Sequence, residues 1–153
     1  GHADLVRTRF DLRTLCREAV ETFRLQTPEE VVLRVEKGLP SCTVCEYRQG
    51  VMQILANFIR NALKFTTKGS VTVGFERKRD RLSLYVRDTG IGIPAGELDK
   101  IFERFYKVDT FTQGTGLGLS ICKSIAEQMG AQIGVDSAVG EGSCFRVEMP
   151  IAE

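Results

Sequence analysis

The segment from Gly114 to Ser120 reads G-T-G-L-G-L-S and leads directly into an apolar-periodic stretch that ends at Met129. Glycine allows the backbone to take positive φ and to approach a ligand closely. The start of a helix has unpaired N–H groups and carries the positive end of the helix dipole. The pattern therefore predicts a glycine-rich turn that opens a helix over 117–129. Together they form an anion site, and the usual anion at such a site is a phosphate.

Apolar spacing along the rest of the chain predicts one α+β domain. Apolar residues alternate over 71–75 and 82–86 on either side of a charged turn, which indicates an antiparallel hairpin. Helical spacing marks 12–23 and, most strongly, 47–65. We also predict strands over 9–12 and 31–35, a short helix over 98–105, and a closing hairpin of 133–135 and 144–147. This order predicts a two-layer α+β sandwich, with a mixed, mainly antiparallel sheet and three main helices on one face.

Bulk properties exclude several classes of function. The chain has 153 residues and a formal net charge of +1, so no field favours nucleic acid or an anionic membrane. No apolar run approaches the roughly 20 residues that a membrane-spanning helix needs. The five cysteines are odd in number and scattered, which favours reduced structural thiols and a cytoplasmic location over a metal or redox site. Residues 1–3 are typical of an expression-tag remnant, so we assign 4–153 to a domain of a longer protein.

Two asparagines stand four residues apart in the strongest predicted helix. This spacing puts Asn57 and Asn61 on one helix face, with Lys64 three residues further on. Two carboxamides and an ammonium suit Mg²⁺ and phosphate oxygens. The alternative is a polar stripe that faces solvent, although asparagine is a poor helix former.

A second glycine pair follows a predicted strand, in the sequence D-T-G-I-G-I that begins at Asp88. A carboxylate at that strand end could accept a hydrogen bond from an exocyclic amine, which would select adenine. Gly90 and Gly92 would give a ring a flat approach. The alternative is a turn-forming aspartate before glycine. Further on, 108–113 is polar and unpatterned, as we expect of a mobile cover.

These segments together resemble the four boxes of the ATP-binding domain of sensor histidine kinases, which has the Bergerat or GHKL fold. The N box is QILANFIRNALKFT over 53–66, the G1 box is DTGIGI, the F box is IFERFY and the G2 box is GTGLGLSI. The boxes follow the family's order and spacing, and the resemblance covers nearly the whole chain.

The resemblance implies a role for each matching position. Asn61, with Asn57 beside it, would hold Mg²⁺, and Lys107 would reach the γ-phosphate, which makes these three the catalytic candidates. Asp88 would bind the adenine amino group. The full set that the resemblance assigns to ATP is Asn57, Asn61, Lys64, Phe65, Asp88, Gly90, Gly92, Ile93, Phe105, Tyr106, Lys107, Gly114, Thr115, Gly116, Leu117, Gly118 and Leu119.

Residue 57 bears on the choice between a kinase and a hydrolase. The chaperone, mismatch-repair and gyrase relatives of this fold resemble one another in carrying a glutamate four residues before the metal-binding asparagine, where it activates water. Here that residue is Asn57, and a carboxamide cannot accept a proton at neutral pH. The sequence therefore favours phosphoryl transfer to an outside nucleophile. A GHKL-type ATPase, a serine-directed kinase and a nucleotide-binding regulatory module without catalysis are the alternatives.

The resemblance also implies partners. The phosphoaccepting histidine would lie on a separate dimerisation hairpin of the same parent kinase, and a response regulator would act downstream. We expect the isolated domain to be monomeric, to bind no nucleic acid and to be inactive without the hairpin. The parent kinase would be cytoplasmic or membrane-anchored, with this domain on the cytoplasmic side.

Overall fold

The computed structural model describes residues 6–98, 100–102 and 116–151, without the side chains of 116–118. A five-stranded sheet forms the centre of the fold. Numbered in chain order, its strands are arranged as β2 (Val31–Val35), β4 (Gly69–Lys78), β5 (Arg81–Asp88), β7 (Gly142–Pro150) and β6 (Gln132–Ala138). β2 and β4 are parallel, and the other neighbours are antiparallel. The predicted mixed, mainly antiparallel sheet is confirmed.

Three helices, α1 (Leu12–Thr22), α2 (Arg48–Phe65) and α3 (Gly116–Met129), form the second layer. α1 begins at its N-cap Asp11, whose side chain accepts a hydrogen bond from the Thr14 N–H at 3.0 Å. Apolar side chains that alternate along the central strands, such as Val73, Leu84 and Val147, are buried with the apolar faces of the helices in one core. The predicted two-layer sandwich is confirmed, because period-2 and period-3.6 patterns place apolar residues on the facing sides of strands and helices. No helix among the described residues is both long and apolar enough to cross a membrane.

A second, two-stranded sheet was not predicted. It pairs β1 (Thr8–Asp11) with β3 (Thr43–Glu46) in antiparallel register. The four residues of β3 are too few to show a clear alternation, so only the pairing with β1 defines the strand. β1 begins and ends one residue earlier than the predicted 9–12, because Asp11, its last residue, is also the N-cap of α1 and Leu12 already belongs to that helix.

The short helix predicted over 98–105 is wrong for its described residues. A 3₁₀ helix covers Ala95–Glu97, and Leu98 and residues 100–102 form turns. Ile101 is nevertheless buried and Phe102 packs edge-on against Phe145, with ring centroids 6.4 Å apart. The apolar spacing marked residues that reach the core, but single turns can bury them without a continuous helix. Residues 99 and 103–105 lie outside the described part.

Candidate functional site

A buried carboxylate lies where β5 ends. Asp88 is only 4% exposed, and its Oδ1 accepts hydrogen bonds from the main-chain N–H groups of Gly90 at 2.9 Å and Ser143 at 3.3 Å. Burial raises the pKa of Asp88 from 3.8 to about 6, and the two N–H donors counteract part of this rise. The carboxylate is therefore largely ionised at neutral pH, with both donors directed to one of its oxygens. A ligand amine could use the other oxygen.

The turn after Asp88 is held between α2 and the β6–β7 hairpin. The Ile91 N–H donates to the Phe65 carbonyl at 3.2 Å, and the Gly140 N–H donates to the Ile91 carbonyl at 2.9 Å. The Ile93 N–H donates to the Ser137 hydroxyl at 2.7 Å. Phe65 is half-buried and Ile93 is almost fully buried. These hydrogen bonds fix the position of the turn relative to both α2 and the β6–β7 hairpin, so the turn is preorganised before any ligand binds.

Glycine is required at two positions of this turn by the protein's own packing. A Cβ on Gly90 would lie 2.4 Å from the Phe65 carbonyl oxygen, and one on Gly92 would lie 2.2 Å from the Ala138 carbonyl oxygen. Gly92 also has a φ of 77°, which disfavours residues with a side chain. The flat approach to a ring that we predicted for these glycines stays a prediction, since fold sterics alone account for both.

The asparagine stripe of α2 does not face solvent. Asn57 and Asn61 are 8% and 7% exposed, respectively, whereas Lys64 is exposed at the C-terminal end of the helix. Because a buried carboxamide costs free energy unless it is hydrogen-bonded, two of them in an apolar helix need partners. The solvent-facing alternative is therefore excluded for the asparagines, and their roles in binding stay predictions.

The glycine-rich segment leads into α3 as the sequence predicts. The helix begins at Gly116, and Leu119 is buried in the core. The main chain of Gly116, Leu117 and Gly118 forms its first turn. The rest of the predicted ATP site lies outside the described residues. This part consists of Phe105, Tyr106, Lys107, Gly114, Thr115 and the predicted cover over 108–113.

Several residues of this region were missed by sequence reasoning. Ser143 lies opposite Asp88 in the β5–β7 register and provides one of its N–H donors. The thiol of Cys122 on α3 contacts Asn57, and Arg60 binds the same carboxamide. Thr66, the C-cap of α2, has a buried hydroxyl that lacks a partner among the described residues. These contacts depend on strand register and on the packing of α3 against α2, which sequence patterns alone do not show.

The donor chemistry of α2 suits a magnesium ion that a ligand brings with it. Among the described residues no group of three or more His, Cys, Asp or Glu side chains is placed to hold a metal. Carboxamide oxygens such as that of Asn61 are hard ligands, and Mg²⁺ is usually held by one or two protein oxygens together with water and substrate phosphates. The residues present therefore fit a shared Mg²⁺–phosphate site better than a metal cage built by protein alone.

Similarity to known proteins agrees with this geometry. The sequence pattern of the family described as histidine kinase-, DNA gyrase B-, and HSP90-like ATPase matches residues 46–153. The chain is 43% identical over 105 residues to the sensor histidine kinase RcsC of Escherichia coli K12, covering 66% of this chain and 11% of RcsC. It is 34% identical over 153 residues to the adaptive-response sensory kinase SasA of Gloeothece citriformis, covering 96% of this chain and 39% of SasA. It thus spans a minor part of both relatives.

Solved structures show the same fold. Full-length ShkA in complex with AMPPNP superposes with a TM-score of 0.90 at 30% identity, covering 99% of this chain and 32% of that one. The nucleotide-free catalytic domain of histidine kinase ThkA gives a TM-score of 0.83 at 31% identity, covering 95% of each chain. The chain therefore belongs to the histidine kinase-, DNA gyrase B- and HSP90-like ATPase family. Its relatives within that family include sensor histidine kinases, and its fold is that of their ATP-binding catalytic domains.

Proposed function

We propose that this domain binds Mg²⁺–ATP and donates the γ-phosphoryl group to a histidine on a separate phosphoacceptor domain of a two-component sensor kinase. The observation that carries the proposal is the buried carboxylate of Asp88 beside α2, in a chain that belongs to this ATPase family. The AMPPNP bound to the structurally similar ShkA supports an adenine nucleotide as the ligand.

Adenine selection follows from the orientation of the Asp88 carboxylate. Oδ1 is engaged by two main-chain donors, so Oδ2 is the oxygen offered to a ligand donor. Adenine presents an exocyclic amine, whereas guanine presents a carbonyl at the equivalent ring position. A carbonyl that faces a carboxylate leaves both acceptors unpaired, at a cost of about 1–3 kcal/mol. The domain should therefore prefer ATP to GTP.

The metal and the phosphates are assigned to the N and G2 boxes. The Asn61 carboxamide would hold Mg²⁺, and Lys64 would reach a phosphate from the same helix. The ion, when bound, neutralises phosphate charge and fixes the triphosphate. Main-chain N–H groups of Thr115, Gly116, Leu117 and Gly118 would hold phosphates at the start of α3, where the helix dipole favours an anion. Lys107 would neutralise charge on the transferred group.

The acceptor is proposed to be a protein side chain rather than water. Asn57 occupies the position at which the hydrolytic relatives of this fold have a glutamate. A carboxamide cannot take the proton of an attacking water. Positioning and charge neutralisation are then what the domain contributes to transfer. The accepting histidine would be provided by a dimeric helical hairpin of the same parent kinase, with a response regulator downstream. The isolated domain would be monomeric, and the parent would present it to the cytoplasm.

Calorimetry tests the binding half of this proposal. Wild-type domain should bind ATP in the presence of Mg²⁺ and bind it more weakly in EDTA. Asn61→Ala should lose most of the dependence on Mg²⁺, because the ion loses its carboxamide ligand. Thr14→Ala is the control variant, because it alters an exposed residue of α1 that belongs to none of the boxes. It should bind ATP as wild type does, with and without Mg²⁺. Absence of ATP binding by the folded wild-type domain would refute the proposed function.

A further inference from the structure

The carboxamide of Asn57 is held at both ends by other residues of the chain. Its Nδ2 donates a hydrogen bond to the thiol sulfur of Cys122 on α3 at 3.5 Å. Its Oδ1 accepts a hydrogen bond from the Arg60 guanidinium at 2.5 Å. These contacts fix which atom faces which partner, because a guanidinium has only donors and must therefore face the oxygen.

The two residues that hold Asn57 are themselves anchored. Cys122 is fully buried, and its thiol donates to the Ile54 carbonyl at 3.9 Å. The Arg60 guanidinium lies 5.6 Å from the centroid of the Phe23 ring, at the end of α1. A guanidinium over an aromatic face gains cation–π attraction, so this rotamer of Arg60 is favoured over the other rotamers that an exposed arginine can adopt. The Arg60–Asn57 contact therefore rests on packing as well as on a hydrogen bond.

Arg60 places a positive charge on the oxygen that a metal ion would need. Asn57 and Asn61 are the two carboxamides of the predicted Mg²⁺ site, and the guanidinium engages the oxygen of Asn57. A hydrogen bond to a charged donor is stronger than one between neutral groups. Mg²⁺ and a guanidinium on the same carboxamide oxygen repel each other, so the arginine opposes coordination by Asn57.

We infer that Arg60 is a positioning residue that withholds Asn57 from the metal and sets the affinity of the site for Mg²⁺, leaving Asn61 as the principal carboxamide ligand. This inference rests on the proposed Mg²⁺–ATP function. Asn57 then serves chiefly to join α2 to α3 through Cys122, while Arg60 keeps the metal weakly held. Weak metal binding suits a domain that must exchange its nucleotide after each transfer.

A Mg²⁺ titration at fixed ATP, followed by calorimetry, tests the inference without an activity readout. Arg60→Met removes the charge and the donors while it keeps a chain that can pack on Phe23. It should lower the Mg²⁺ concentration for half-maximal ATP binding by about three- to tenfold, the range of one net hydrogen bond. Arg60→Lys keeps a cationic donor and should stay near wild type. Arg17→Met, on an exposed position of α1, should leave the titration unchanged.

A double-mutant cycle separates an action through Asn57 from an action of charge alone. In an Asn57→Ala background, Arg60→Met should lose most of its effect on the Mg²⁺ titration. An equal effect in both backgrounds would overturn the inference, since Arg60 would then act on the ion directly. So would an unchanged titration in Arg60→Met, or a loss of ATP affinity that is the same with and without Mg²⁺. Should Arg60→Met fail to fold, Arg60→Leu, which also lacks the charge and the donors, carries the same test. A wild-type domain that binds no ATP would refute the proposed function instead.

Discussion

The main-chain N–H of Ser143 on β7 donates a hydrogen bond to Oδ1 of Asp88 on β5, at 3.3 Å. The two residues are direct partners in the antiparallel register of these strands. Strand pairing therefore orients the carboxylate, which also accepts from the Gly90 N–H. The proposed recognition of adenine would therefore cost little side-chain entropy, because main-chain donors already hold the carboxylate in place.

Replacing this carboxylate should weaken ATP binding and change base preference. In Asp88→Asn the carboxamide oxygen should stay with the two N–H donors, which turns the Nδ2 group toward the ligand. A donor then faces the adenine amine, at a cost of about 1–3 kcal/mol. The same donor can pair with the guanine carbonyl, so discrimination between ATP and GTP should shrink.

Calorimetry with both nucleotides measures this change. Asp80→Asn, in the exposed β4–β5 turn, is the matched control and should bind like wild type. An Asp88→Asn variant with wild-type affinity for both nucleotides would remove the residue from the recognition role.

The pKa of Asp88 also predicts a dependence of stability on pH. Its folded value of about 6 lies above the ordinary 3.8, so the folded protein holds this proton more tightly than the unfolded chain does. The corresponding stabilisation is complete below about pH 4 and is lost as pH rises through 6, at about 1.4 kcal/mol for each pH unit between the unfolded and folded pKa values. Urea unfolding of wild type and Asp88→Asn between pH 4 and 7 measures it. The advantage of wild type over the variant should fall as pH rises, and a constant difference would contradict the raised pKa of the carboxylate.

Adding one methyl group at Gly90 should damage both folding and binding. The new Cβ would meet the Phe65 carbonyl oxygen at 2.4 Å, which is backbone and cannot rotate away. Overpacking of this kind costs about 1–3 kcal/mol, and displacement of the turn should also weaken ATP binding. Gly96→Ala is the control, because its Cβ would have no atom of the described residues within 4 Å apart from its own chain neighbours. Thermal unfolding and calorimetry of the two variants check this, and equal melting temperatures would mean that the turn can relax.

Much of this fold could be predicted because its apolar patterns are clean. Apolar residues alternate over 71–75 and 82–86 in the hairpin of β4 and β5, and α2 has apolar residues at helical spacing. The hydrogen bond between Asn57 and Cys122 could not be predicted, because the two residues are 65 positions apart and come into contact only when α3 packs on α2. The Ser143 donor is a main-chain group that any residue would provide, so only strand register reveals it. Sequence patterns thus located the boxes, and tertiary contacts show which of their atoms already have partners.

Lys107, which directly follows the F box in the sequence, should affect the rate of transfer more than the affinity for ATP. An ammonium that neutralises charge chiefly in the transition state lowers the barrier without much ground-state binding. Lys107→Ala should therefore reduce single-turnover transfer by about tenfold or more, where tenfold corresponds to roughly 1.4 kcal/mol. Lys37→Ala, an exposed lysine beside a turn glycine, is the control. An equal loss of ATP affinity and transfer rate would indicate a ground-state contact instead.

In the proposed function, the γ-phosphoryl group passes to a histidine outside this chain. Radiolabelled ATP should be mixed with the domain, with and without the dimeric phosphoacceptor hairpin of its own parent kinase, while label on protein and released phosphate are both followed. The domain alone should neither label itself nor release phosphate appreciably. With the hairpin present, label should appear on the hairpin's histidine, slowly because the two parts are not tethered, and Asn61→Ala should abolish it. Rapid phosphate release by the domain alone, or full labelling with Asn61→Ala, would contradict the assignment as a histidine kinase.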